Sequence, residues 1–121
     1  MLMSDDVLKD KSYAFALRIV KLSQFLVTDH KEYVMSRQVL RSGTSSGANV
    51  AEAGQGESKP DFIHKLSISQ KESFETHFWI RLLRDSEYIN ERLAESLLFD
   101  CVELQKLLTA SIRTAKASLG K

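Results

Sequence analysis

At 121 residues the chain suits a single domain, 1–121, with one ordinary core, and one proline with five glycines leaves too little turn chemistry for a strand-rich fold. Its 17 basic and 16 acidic residues are spread evenly for a net charge of +1, which excludes a dedicated polyanion-binding arm. The lone Cys101 excludes an intrachain disulfide, and no apolar run approaches the ~20 residues of a membrane span.

Taken in order, the chain reads as four helices. The first is expected over residues 4–28, where Ser4, Asp5 and Asp6 supply an N-cap and negative charge for its amino end. Phe15, Ile19, Leu22 and Leu26 form one apolar stripe, and Tyr13, Leu17, Val20 and Val27 form a second. A polar connection through His30 leads to a second helix over 33–53. Gly54 and Gly56 end it as residues that accept positive φ.

Laid out at 100° per residue, this second helix has two unlike sides. Gln38, Arg41, Ser45, Asn49 and Glu52 share a narrow polar arc, while Ser36, Leu40, Gly43, Gly47, Val50 and Gly54 gather opposite. An interior glycine costs a helix about 1 kcal/mol relative to alanine, so Gly43 and Gly47 are expected where another backbone comes very close.

Ser58 with Asp61 three residues on, and Pro60 in the first turn, opens a third helix. Phe62, Leu66, Ser69, Ser73, Thr76, His77 and Ile80 share one of its faces, and Ile68, Phe78, Trp79 and Leu82 the opposite one. Residues 84–87 interrupt the pattern. Asn90 then caps a fourth helix with a sustained stripe from Leu93 through Leu97, Cys101, Leu104, Leu108 and Ile112 to Ala115, after which 116–121 are expected to fray. Four amphipathic helices with short connections predict an all-α, antiparallel up-down-up-down four-helix bundle.

The run Gln38-x-x-Arg41-Ser42-Gly43-Thr44-Ser45-x-Gly47-Ala48-Asn49-x-x-Glu52-Ala53, followed by Asp61-Phe62 and Ser73-x-Glu75, resembles the bacterial family of 23S rRNA-intervening sequence proteins. The resemblance covers nearly the whole chain. It implies a four-helix bundle assembled as a homopentameric ring, and it does not imply an enzyme. A more distant likeness is to the accessory protein of diversity-generating retroelements, a basic pentameric barrel that binds nucleic acid; the near-neutral charge here departs from it.

No catalytic constellation, cofactor site or metal site is expected. Asp61 and His64 have ligand spacing but no matching second pair, and His77 reads as a hydrogen-bonded interior histidine. Cys101 reads as a small buried hydrophobe. The polar stripe, joined by Glu75, is the leading candidate site: either a structural network in which Arg41 pairs with Glu52 or Glu75, or a place to hold a phosphate or a partner carboxylate. The structural alternative is preferred, because ion pairs that only set helix register imitate functional sites.

Tyr13, Leu17 and Val20 on the first helix, with Ile68, Phe78, Trp79 and Leu82 on the third, exceed what a bundle core needs and are expected at a subunit interface. The expected partners are therefore further copies of the chain and, weakly, RNA or DNA. The expected location is the cytoplasm, with an enzyme or small-ligand binder carrying a polar site between the helices as the rival function.

Overall fold

The computed structural model describes the backbone of residues 3–56 and 58–120, and side chains from Asp6 onward; the expected Ser4 cap lies outside the described side chains. Four helices make up the described residues: α1 Met3–His30, α2 Val34–Ala53, α3 Lys59–Asp85 and α4 Glu91–Leu119. Each packs on its neighbours in sequence, and α4 closes back on α1 through the lightest of the four seams. Among the described residues the backbones of α1 and α3, and of α2 and α4, do not come close, so these pairs lie across the bundle from one another. This is the antiparallel four-helix bundle that the apolar spacing predicts.

The helix ends follow from local chemistry. Ser58 Oγ accepts the Asp61 N–H at 3.2 Å and Asn90 Oδ1 accepts the Leu93 N–H at 2.8 Å, so both expected N-caps form. The Glu32 carboxylate takes the Ser36 N–H at 2.9 Å, supplying α2 with a cap that Tyr33 does not provide.

Glycines do not supply the left-handed residues. Those are Lys31 (φ 55°) and Glu87 (φ 66°), which turn the chain between α1 and α2 and between α3 and α4. Gly54 keeps a helical φ of −65°, so the expected positive-φ stop after α2 does not occur. Crowding explains Gly56 instead: a Cβ there would lie 3.0 Å from Asp61 Oδ2 and 3.1 Å from the Ala53 carbonyl oxygen.

Two further boundaries differ from expectation. His30 is the last residue of α1 rather than a loop residue, its ring edge-on between Phe25 and Tyr88 at 5.1 and 5.6 Å. The expected fraying after Ala115 is not seen either. Helix α4 runs to Leu119 because nothing in Lys116, Ala117 or Ser118 opposes it before Gly120.

The core runs along the bundle axis through Phe15, Ile19, Leu22 and Leu26 of α1, Leu66, Ile80 and Leu83 of α3, and the whole α4 stripe from Leu97 to Ala115. Helix α2 contributes few large side chains. Its buried face is Val39, Ser42, Ser46, Asn49, Val50 and Ala53, so it meets its neighbours largely through small residues.

Candidate functional site

Helix α2 is gripped differently on its two sides. Toward α1, Gly47 faces the Ser12 carbonyl oxygen, which a Cβ would approach to 3.3 Å, so here a backbone does come close. Gly43 faces a side chain, which corrects the expectation of a second backbone contact: a Cβ would lie 2.8 Å from both Cγ1 and Cγ2 of the fully buried Ile19. Further along, the hydroxyls of Ser23 and Ser36 lie 2.8 Å apart, and Ser36 Oγ also donates to the Ser23 carbonyl at 3.2 Å.

Toward α3 the same device recurs with better geometry. Ser46 and Ser69 place their hydroxyls 2.9 Å apart, and each also reaches the other's backbone carbonyl, at 3.1 and 2.7 Å. Thr76 Oγ1 donates to Ser42 Oγ at 2.8 Å. Every enclosed side-chain polar atom among the described residues is paired, so this interior carries no desolvation penalty from unmet groups.

The polar stripe borders this seam on its solvent side. Arg41 donates from Nη1 to Glu72 Oε2 at 2.9 Å, from Nη2 to Glu75 Oε2, and from Nε to Gln38 Oε1 at 3.5 Å. Glu75 also accepts the Trp79 indole N–H at 3.0 Å. That indole bond, followed by Arg41, holds the Glu75 carboxyl below its ordinary range, and the hydrogen bond to Glu75 in turn raises the Arg41 guanidinium.

Asn49 turns back on its own helix, donating to the Ser45 carbonyl at 2.9 Å and to Ser45 Oγ at 3.3 Å. Glu52 pairs with Lys65 at 3.5 Å and not with Arg41. The stripe is thus three local groups rather than one closed network. Arg41 directs a donor from each of its three guanidinium nitrogens to a neighbouring side chain, the stronger two to carboxylates of α3. Glu72 lies outside the polar stripe that the sequence marks, although one turn before Thr76 it is on the same α2-facing side of α3.

The remaining titratable groups are dispersed. His77 is half-buried, makes no side-chain hydrogen bond to a described residue, and is pushed below its ordinary 6.5 by burial and then by Arg81 and Arg84. The expected hydrogen-bonded interior histidine is therefore not what the fold holds. Cys101 is fully buried with Sγ 3.3 Å from the Ser73 carbonyl; burial, then Asp100, pushes its thiol up to about 12, so it is inert at neutral pH. Among the described residues no three His, Cys, Asp or Glu side chains converge as metal ligands. No described helix is long and apolar enough to cross a membrane.

The residues proposed for subunit contact lie on the outer faces of α1 and α3. Tyr13 is 68% exposed, Leu17 48%, Phe78 46% and Leu82 39%, whereas Val20, Ile68 and Trp79 are half-buried. Phe74, which the opposed-face pattern did not single out here, joins them at 58%.

A comparison with protein families matches residues 5–110 to the family described as 23S rRNA-intervening sequence protein. The chain belongs to this family. Among solved structures it is similar to a family protein of unknown function, from the S23 ribosomal protein family of Bacteroides thetaiotaomicron VPI-5482. The two share 53% identity at a TM-score of 0.90, over 92% of this chain and 99% of that one. No curated protein matches significantly. Neither the family's description nor that of the solved structure names an enzymatic activity.

Proposed function

We propose that the chain is a non-enzymatic cytoplasmic scaffold that assembles with copies of itself into a closed ring, five-membered as the family resemblance implies. One observation carries this reading: Tyr13 and Leu17 on α1, and Phe74, Phe78 and Leu82 on α3, stand exposed on helices that lie across the bundle from each other. A soluble monomer rarely exposes contiguous apolar patches of more than a few hundred Å². Two unlike patches on opposite sides pair head to tail, and such contacts either close into a ring or grow into a filament.

The polar stripe supports a structural role, since its donors and acceptors serve one another. Arg41, Gln38, Glu72, Glu75 and Trp79 fix the register of α2 against α3. The ribosomal name of the relative adds RNA as a candidate partner. With balanced charge, that binding is weak and electrostatic and fades between low and physiological salt, as each displaced phosphate contact restores counterions. Native mass spectrometry before and after nuclease treatment tests both parts. The reading expects a homopentamer that survives nuclease; a monomer at micromolar concentration refutes the ring, and tight, salt-insensitive nucleic-acid binding refutes the weak-partner assignment.

A further inference from the structure

At the end of the bundle where α1 and α3 begin and α2 and α4 finish, all four helices wall a cavity of about 480 Å³. That volume falls within the range of small-molecule sites. Its inner wall is apolar: Leu8, Val50, Phe62, Leu66 and Ala115. Its charged lining is of one sign, because Lys9 and Lys59 contribute ammonium groups and no carboxylate lines it among the described residues.

Lys59 Nζ donates to Ser118 Oγ at 2.6 Å, on the rim where α4 ends. Lys9 lies over the end of α2, where a Cβ on Gly54 would come within 3.0 Å of its Cε and 3.1 Å of its Nζ. Both cations therefore sit around one mouth.

Ser111 supplies the second observation. It is only 8% exposed, yet its hydroxyl bonds to no described residue, unlike those of Ser23, Ser36, Ser42, Ser46, Ser69 and Ser73. A helical serine commonly returns its hydroxyl to a carbonyl one turn back. No fully enclosed side-chain polar atom is unpaired, so the Ser111 hydroxyl opens onto the cavity it lines. Seven residues separate it from Ser118, a depth of about 10 Å at helical rise. An extended chain of about eight carbons has that reach.

We propose that this cavity binds a free aliphatic carboxylate of about eight carbons, with its head between Lys9 and Lys59, its body against the apolar wall and its inner end beside Ser111. The head forms charge-assisted hydrogen bonds to the ammonium groups, and an inner hydroxyl on the ligand meets the waiting Ser111 hydroxyl. None of the cavity's residues belongs to the outer faces assigned to ring contacts, so this inference stands apart from the assembly reading.

Isothermal titration calorimetry of the full chain with octanoate and with 8-hydroxyoctanoate tests it. Both probes should bind once per chain, the hydroxylated one about fivefold tighter, as one net hydrogen bond implies. Ser111→Ala should abolish that difference. Lys9→Gln with Lys59→Gln should weaken both probes at least about tenfold while sparing binding of octanol. Thr114→Trp, at an exposed position on the mouth, should block both with the helical circular dichroism unchanged. Absence of saturable binding up to millimolar probe would overturn the proposal. Equal affinity for the two carboxylates would do the same, as would affinities indifferent to Thr114→Trp, which would place the probes on the outer apolar faces instead.

Discussion

Helix α3 buries small hydroxylated residues alongside its core residues Leu66, Ile80 and Leu83, and leaves further large apolar ones on its outer face. Ser69, Ser73 and Thr76 are fully buried, while Phe74, Phe78 and Leu82 one face away are 58%, 46% and 39% exposed. Helix α1 repeats the contrast, with Ser12 at 2% and Ser23 at 7% against Tyr13 at 68% and Leu17 at 48%. Small inner residues let α2 approach α3 until hydroxyls bond across the seam, as those of Ser46 and Ser69 do, while Leu66, Ile80 and Leu83 of α3 fill the core beside them. The remaining bulky residues, Tyr13, Leu17, Phe74, Phe78 and Leu82, are left on the outside, the surface proposed for subunit contact. Inner seams thus determine the bundle, and the outer faces are those proposed for its assembly.

The inner seams break most readily at Gly43. Gly43→Leu places a branched side chain against the rigid, buried Ile19 and should cost more than about 3 kcal/mol, read as lost thermal stability at fixed protein concentration. Even Gly43→Ala should destabilise, although alanine gains about 1 kcal/mol in helix propensity. A raised melting temperature in the alanine variant would show that the α1–α2 contact is loose. Next in size, Ser69→Val removes the reciprocal hydroxyl pair with Ser46 and adds bulk where the helices touch; chemical denaturation should report a loss of about 1–3 kcal/mol.

Arg41→Ala sharpens the comparison from the solvent side. Its side chain is 48% exposed, so screening limits the loss to about 0–1 kcal/mol despite three engaged nitrogens. A loss as large as that of Ser69→Val would mean that the stripe, rather than the hydroxyl seam, holds α2 on α3.

The smallest effect concerns His77. Its folded value lies below the ordinary 6.5, so the unfolded chain takes up a proton first as pH falls. The associated stability is complete above about 6.5 and is lost as pH drops through the folded value. Melting temperature should therefore decline on acidification from pH 7 to pH 5. His77→Gln should flatten part of that slope, and an unchanged slope would assign it to other groups.

Much of the bundle was legible because it rests on short-range chemistry. The caps at Ser58 and Asn90 need only a side-chain oxygen three residues before an N–H, and the α4 stripe needs only helical spacing. What escaped depends on distances between helices. Ser42 and Ser46 lay between the two arcs seen on α2, so nothing marked them as its face toward α3. The sequence offers Arg41 either Glu52 or Glu75, whereas its fork reaches two carboxylates one turn apart on α3, Glu72 and Glu75. The left-handed residues fell on Lys31 and Glu87 because helix packing sets where the chain must turn, and the glycines were needed for close approach instead. The cavity beside Ser111 was invisible for a similar reason, since it exists only where four helix ends converge.

Sedimentation velocity of the wild-type chain beside a Leu17→Lys, Phe78→Glu variant tests the outer faces most directly, since both residues are exposed and neither carries the core. The account predicts a closed species of about five chains for the wild type and a smaller one, equally helical by circular dichroism, for the variant. A wild-type chain that sediments as a monomer at micromolar concentration, or a variant that keeps the wild-type mass, would contradict it.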